Sequence, residues 1–212
     1  MPVFFQQDID HSTRLAIWKI EESPIFFSDV IGLQRAVSHP HKNLQHLSGR
    51  YLLKLLFPDF PLSLIQIADT RKPFLEDEKF HFSISHCGDY AAAIVSTTKR
   101  VGVDIEMTSQ KVERISHKFI SAEEEILCGG LLSADSLSLI KTVTLMWSCK
   151  EAVFKWYGHG GVDFKKHIQV KSVHALSHNS FNSKITFKKN EDQHLDLHSV
   201  FFNDLCLSYV VT

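Results

Sequence analysis

Ile140, Thr144, Trp147, Glu151 and Phe154 recur at helical spacing and set a carboxylate among side chains that need a core. At about 100° per residue they share one stripe of a helix. Trp147 and Phe154 would not flank a solvated face, and a buried carboxylate without a partner is costly. The pattern offers two partners: a metal ion, or Lys155 one turn on. The helix is predicted from about Ser136 to Tyr157, with Gly158 just past its end as a C-cap. Lys150 and Lys155 bracket Glu151 on different sides of it. One is expected to reach a phosphate near a metal, the other to face solvent or a partner.

About forty residues earlier stands Gly102-Val103-Asp104-Ile105-Glu106. Read as a strand, it puts Gly102, Asp104 and Glu106 on one face and Val101, Val103 and Ile105 on the other, towards a core. The two carboxylates then stand about 6.5 Å apart at Cα. That suits a hard cation such as Mg²⁺ or Mn²⁺, which takes oxygen ligands and leaves room for phosphate and water. Gly102 is expected to admit a ligand close to the backbone. Taken alone, two acids at this spacing are more commonly a solvated strand face.

The remainder reads as a mixture of strands and helices. Thr13 to Ile20 is a strand; Leu44 to Phe57 is a helix stopped by Pro58, with Lys42, Arg50 and Lys54 around it. Phe80 to Ser85 alternates, and His86-Cys87-Gly88-Asp89 supplies a turn. Tyr90 to Val95 is a strand apolar on both faces. After the strand Val101 to Met107 comes a short basic helix, Lys111 to Phe119. Ser121-Ala122-Glu123-Glu124 is a capping box, predicting a helix that ends near Gly129-Gly130. Strand-like pieces close the chain at His167 to Val173, Lys184 to Phe187 and Leu205 to Val211. The order suggests an α+β chain of two similar halves, 1–99 and 100–212, although no sequence identity links them.

Composition bounds the function. Lys+Arg 23 against Asp+Glu 24 leaves a formal net charge of −1, with no basic excess to suggest nucleic acid. No stretch resembles a signal peptide or a membrane span, and the four cysteines show no CxxC spacing, so a reducing, cytoplasmic setting is expected. His174/His178 and His194/His198 lie in a polar, strand-like stretch and read as solvated rather than as zinc ligands. There is no Walker A loop, no GxGxxG and no Ser-His-Asp order.

Jointly, Gly102–Glu106 and Trp147-Ser148-Cys149-Lys150-Glu151-Ala152-Val153-Phe154-Lys155, with Lys72-Pro73-Phe74 and Ser85-His86, resemble the 4′-phosphopantetheinyl transferases. The likeness is to the long, single-chain form of the type that activates surfactin synthetase. It implies two pseudo-symmetric α/β halves with the active site in the cleft between them. It also implies coenzyme A as donor, Mg²⁺ (or Mn²⁺) as cofactor, and a serine of an acidic apo carrier protein as acceptor, with a monomer as the working form. By the same resemblance Asp104, Glu106 and Glu151 are the metal ligands and Lys155 the lysine on the pyrophosphate. Lys72, Ser85 and His86 contact coenzyme A, with Lys42 and Arg50 as candidates for its 3′-phosphate. Glu124 aligns with a glutamate assigned as general base in some members, and Glu151 or a metal-bound water is its rival. The alternatives are a Mg²⁺-dependent phosphohydrolase and a non-catalytic coenzyme A- or carrier-binding module of the same fold. Lys111, Arg114, His117 and Lys118 form a local basic patch that an acidic carrier would fit, or a solvated helix face.

Overall fold

The computed structural model describes residues 3–31, 39–70, 72–133 and 137–212. They divide into two compact units, Met1–Val101 and Gly102–Thr212.

The first unit runs β1 (Val3–Asp8), β2 (Thr13–Lys19), α1 (Pro24–Ile31), α2 (Pro40–Leu56), β3 (Gln66–Ile67), β4 (Pro73–Phe74), β5 (His81–Cys87) and β6 (Tyr90–Ser96). Its main sheet has the order β1-β2-β6-β5, antiparallel throughout. Residues Ala91 to Val95 are all fully buried, as a strand apolar on both faces requires. α2 begins with Pro40 in its first turn, where the missing N–H costs nothing, and buries Leu52, Leu53 and Leu56 with Trp18, Phe60 and Phe82. α2 also crosses β5 closely: a Cβ at Gly49 would lie 2.7 Å from Ile84 Cγ2.

The second unit runs β7 (Val101–Met107), α3 (Gln110–Arg114), α4 (Ala122–Ser133), α5 (Leu139–Tyr157), β8 (Ile168–Ala175), β9 (Ser180–Lys188), β10 (Asp192–Phe202) and β11 (Leu205–Val211). The strand order is β7-β11-β10-β9-β8. α5 buries Leu145, Met146, Cys149, Ala152, Val153 and Trp156 among Phe181, Ile185, Phe187, Leu197 and Val210 of the sheet. In the second unit a first strand leads through helices to a meander whose last strand, β11, returns to lie beside β7; in the first unit the last strand, β6, pairs with β2 and β5.

Several expectations shift. Gly129 and Gly130 do not end α4, which continues to Ser133, because neither glycine adopts a left-handed conformation. Gly158 does cap α5, with φ 80° and its N–H on Phe154 O at 3.0 Å. α5 begins at Leu139, and Ser136 lies outside the described residues. The fully buried stripe of α5 runs through Cys149 and Val153, so Trp147, Glu151 and Phe154 sit half-buried at its edge. β1, α1 and the eleven-residue β10 are additions to the sequence reading.

Candidate active site

β7 and α5 bring the acids together. The reason lies in Gly102: a Cβ there would come within 2.7 Å of Trp156 Cβ and 2.8 Å of Trp156 N, and would press on the Ala152 carbonyl. The bare backbone at Gly102 lets the helix, rather than a ligand, lie against the strand. Two residues on, the buried Asp104 accepts a hydrogen bond from Lys155 Nζ at 2.6 Å. Glu151, one turn before Lys155, is pushed up to about 7, first by burial, then by the Asp104 charge, with Lys155 opposing and Glu106 adding.

The electrostatics there test the fit for a cation: burial and the charges of Asp104 and Glu106 push the Glu151 carboxyl up, the mark of a site short of positive charge. The all-oxygen donor set of Asp104, Glu106 and Glu151 suits a hard divalent ion. Among the described residues no three His, Cys, Asp or Glu side chains stand ready as a coordination sphere. Here the Lys155 ammonium lies against Asp104 Oδ1.

Lys150 and Glu124 take a different place from the one expected. Lys150 is fully buried, and its ammonium donates to Phe119 O at 2.7 Å, Glu124 Oε2 at 2.7 Å and Phe164 O at 2.8 Å. All its protons are used, so it neither reaches a phosphate nor faces solvent. Burial pulls its pKa down while Glu124 pulls it up. Glu124 also accepts from Ser121 N and Val170 N, each at 2.8 Å, while its own N–H reaches Ser121 Oγ at 3.3 Å. The capping box is complete, and both oxygens of a residue 1 % exposed are engaged. The geometry makes Glu124 the counter-ion of Lys150 and the tie of α4 to β8, which does not suit a general base.

The first unit gathers a basic group of its own. Lys42, His46 and Arg50 follow one another at i, i+4 on α2. The His46 ring stands 5.8 Å from that of His86, at the exposed end of β5, while Ser85 beside it is buried. His46 is pulled down by burial and by Arg50 and Lys42. Among the described residues Arg50 Nε is buried without a hydrogen-bond partner. Lys72 is lowered to about 8, by burial and then by Arg100. Sequence reading missed His46, although its spacing from Lys42 and Arg50 carried the signal.

Comparison with known proteins decides the family. Residues 100–210, which hold β7, α5 and the whole acidic group, match the 4′-phosphopantetheinyl transferase superfamily. The chain belongs to that superfamily. It is 31% identical over 144 residues to enterobactin synthase component D of Salmonella typhi, covering 65% of this chain and 59% of that protein. A putative 4′-phosphopantetheinyl transferase of Haemophilus influenzae is 32% identical over 127 residues, covering 58% of this chain and 52% of that protein. The chain thus spans little more than half the length of these relatives. Among the described residues no helix is long and apolar enough to cross a membrane.

Proposed function

We propose that this chain transfers the 4′-phosphopantetheine group of coenzyme A to a serine of an apo carrier protein, releasing 3′,5′-ADP. The observation that carries the reading is the Asp104–Lys155 pair beside a Glu151 raised to about 7, inside the segment that matches the superfamily. Asp104, Glu106 and Glu151 would hold Mg²⁺ or Mn²⁺. When bound, that ion supplies positive charge against the pyrophosphate and the charge growing on the leaving group.

The chain's own residues do the rest. Lys155 places a fixed ammonium at the pyrophosphate. The carrier serine Oγ attacks the β-phosphorus, the bond from that phosphorus to the bridging oxygen of 3′,5′-ADP breaks, and the serine proton passes to a base. Glu151 or a metal-bound water is the candidate base, whereas both oxygens of Glu124 are taken by Lys150 Nζ, Ser121 N and Val170 N. Lys72, Ser85, His86, Lys42 and Arg50 contact the phosphates and nucleotide of coenzyme A, with His46 added to them. Arg50 Nε supports the 3′-phosphate contact, since it lacks a partner.

The exposed Lys111, Arg114, His117 and Lys118 receive an acidic carrier. The Salmonella typhi relative carries the name enterobactin synthase component D, so a carrier of enterobactin synthase joins the surfactin-synthetase type as a candidate acceptor. A cytoplasmic monomer is part of the same reading.

The test is to incubate the protein with coenzyme A, Mg²⁺ and a panel of apo carriers, and weigh each carrier. A gain of one phosphopantetheine mass supports the reading. No gain on any carrier sinks it, and 3′,5′-ADP release without a carrier adduct would point to a phosphohydrolase.

A further inference from the structure

The carbonyls that hold Lys150 belong to Phe119 and Phe164, and the rings of those same two residues clasp Trp147. Phe119 and Trp147 have centroids 4.8 Å apart, and Phe164 stacks on Trp147 at 5.5 Å with 18° between planes. Phe164 also meets Phe154 at 5.7 Å. Trp147 is one turn before Glu151 and Phe154 nearly one turn after it. We propose that Lys150 is a positioning residue: through Phe119, Phe164 and Glu124 it fixes the rotation of α5, and so the place of Glu151, without touching substrate. This rests on the proposed transfer reaction only for its kinetic consequence.

Three observations carry it. The first is cost. Burying an ammonium removes several kcal/mol of hydration, and a hydrophobic residue of similar volume is often as stable or more so. Global stability is therefore a poor account of a fully buried lysine, and a fixed geometry is a better one.

The second is convergence. The segment 158–167 leaves α5 through Gly158, Gly160 and Gly161, all at positive φ, and turns back along the helix. A glycine-rich exit of this kind does not hold its own course. Two lysines hold it: Lys189 Nζ donates to Gly160 O and Gly161 O at 2.6 and 2.7 Å, and Lys150 takes Phe164 O. Between them Asp163 Oδ1 accepts from Lys165 N and Lys166 N, closing the turn.

The third is adjacency. Lys150 and Glu151 are neighbours on one helix, so a rotation that frees Lys150 swings Glu151 away from Asp104. A displacement of about 1 Å at a reacting group costs on the order of 100-fold in rate.

The experiment compares Lys150→Met, Lys150→Arg and the double variant Glu124→Gln/Lys150→Met, which keeps an acceptor for Val170 N, in the full chain. Amide hydrogen exchange is followed over 158–167, with turnover measured beside it. Lys150→Met should speed exchange over 158–167 while the far sheet, β9 and β10, stays protected. It should lower kcat about 10- to 100-fold with the KM for coenzyme A little changed. Lys150→Arg should recover part of kcat. The double variant removes both buried charges, so it should regain thermal stability but not kcat. Three results would overturn the proposal: unchanged exchange over 158–167 in Lys150→Met, full turnover in the double variant, or a raised KM for coenzyme A at unchanged kcat. The exchange arm needs no substrate, so a wild-type chain that transfers nothing would end the transferase reading and leave this inference to be judged by exchange.

Discussion

Lys155 Nζ lies 2.6 Å from Asp104 Oδ1 and so joins the last turn of α5 to the middle of β7. Its charge also lowers Glu151, against burial and two acids that raise it. In Lys155→Met the Glu151 carboxyl should titrate above about 7, read by carboxyl ¹³C NMR. A lower midpoint would mean the ammonium does not reach Glu151. Transfer should fall by about 100-fold or more, the loss typical of a fixed positive contact to developing charge.

Glu151 gives stability a pH dependence of defined sign. Its folded pKa is raised, from 4.5 to about 7, so the folded chain binds the extra proton across that window. Its contribution is therefore fully present below 4.5 and is lost as pH rises to about 7. Glu151→Gln should melt higher than wild type at pH 8 without metal, by up to about 10 degrees, since a rise from 4.5 to about 7 is worth about 3 kcal/mol. The difference should vanish near pH 4.5. Adding Mg²⁺ at pH 8 should stabilise wild type and not the variant. Thermal melts across pH decide both points, and equal melting at pH 8 without metal would contradict the first.

Gly102→Ala tests the strand–helix approach. The added methyl meets the backbone of α5, which cannot swing aside as a side-chain tip does. Overpacking of this kind costs about 1–3 kcal/mol, measurable as a lower urea midpoint. Turnover should drop further than that loss explains, because Asp104 and Glu151 are held at the same approach.

Lys72 at about 8 should couple nucleotide binding to protons. Its contact with a phosphate needs the charged form, and above that pH the free chain has largely lost it. Binding of 3′,5′-ADP at pH 9 should take up protons and weaken as pH rises from 7. Calorimetry in two buffers of different ionisation heat gives the proton count, and a count of zero removes Lys72 from the contact. The same depressed value makes the chain's stability rise with pH between about 8 and 10.5, since only the unfolded lysine is then fully protonated.

Charge reversal at Arg114 and Lys118, both exposed, should raise the KM for an acidic carrier while leaving that for coenzyme A unchanged. Steady-state kinetics with each substrate varied in turn would show it, and an unchanged carrier KM would place the dock elsewhere.

The legible parts of the molecule were those where one period governs. β7 and β11 occupy the residues read as strands, and the α4 capping box and the Gly158 cap stand where their residues require. Part of what escaped had a local signal submerged in a polar run: in β10 exposed His194, Asp196 and His198 alternate with buried Leu195, Leu197 and Ser199, and the strand pairs with β9 and β11. Lys150 was misread because nothing local announces a buried lysine; its three acceptors come from residues 119, 124 and 164. Glu124 is the converse: the capping box was visible, while Val170 and Lys150, which occupy its remaining capacity, are distant in sequence.

The strand order also sets a timetable. β7, with Asp104 and Glu106, bonds within its sheet to β11, which ends at Val211. A pairing that spans so much chain closes late, since the entropy of the long loop must be met before the contact returns anything. During synthesis the two acids thus leave the ribosome far ahead of the strand that seats them. Until β11 follows, the nascent second unit displays an open, acid-bearing edge, so the face that carries Asp104 and Glu106 matures late.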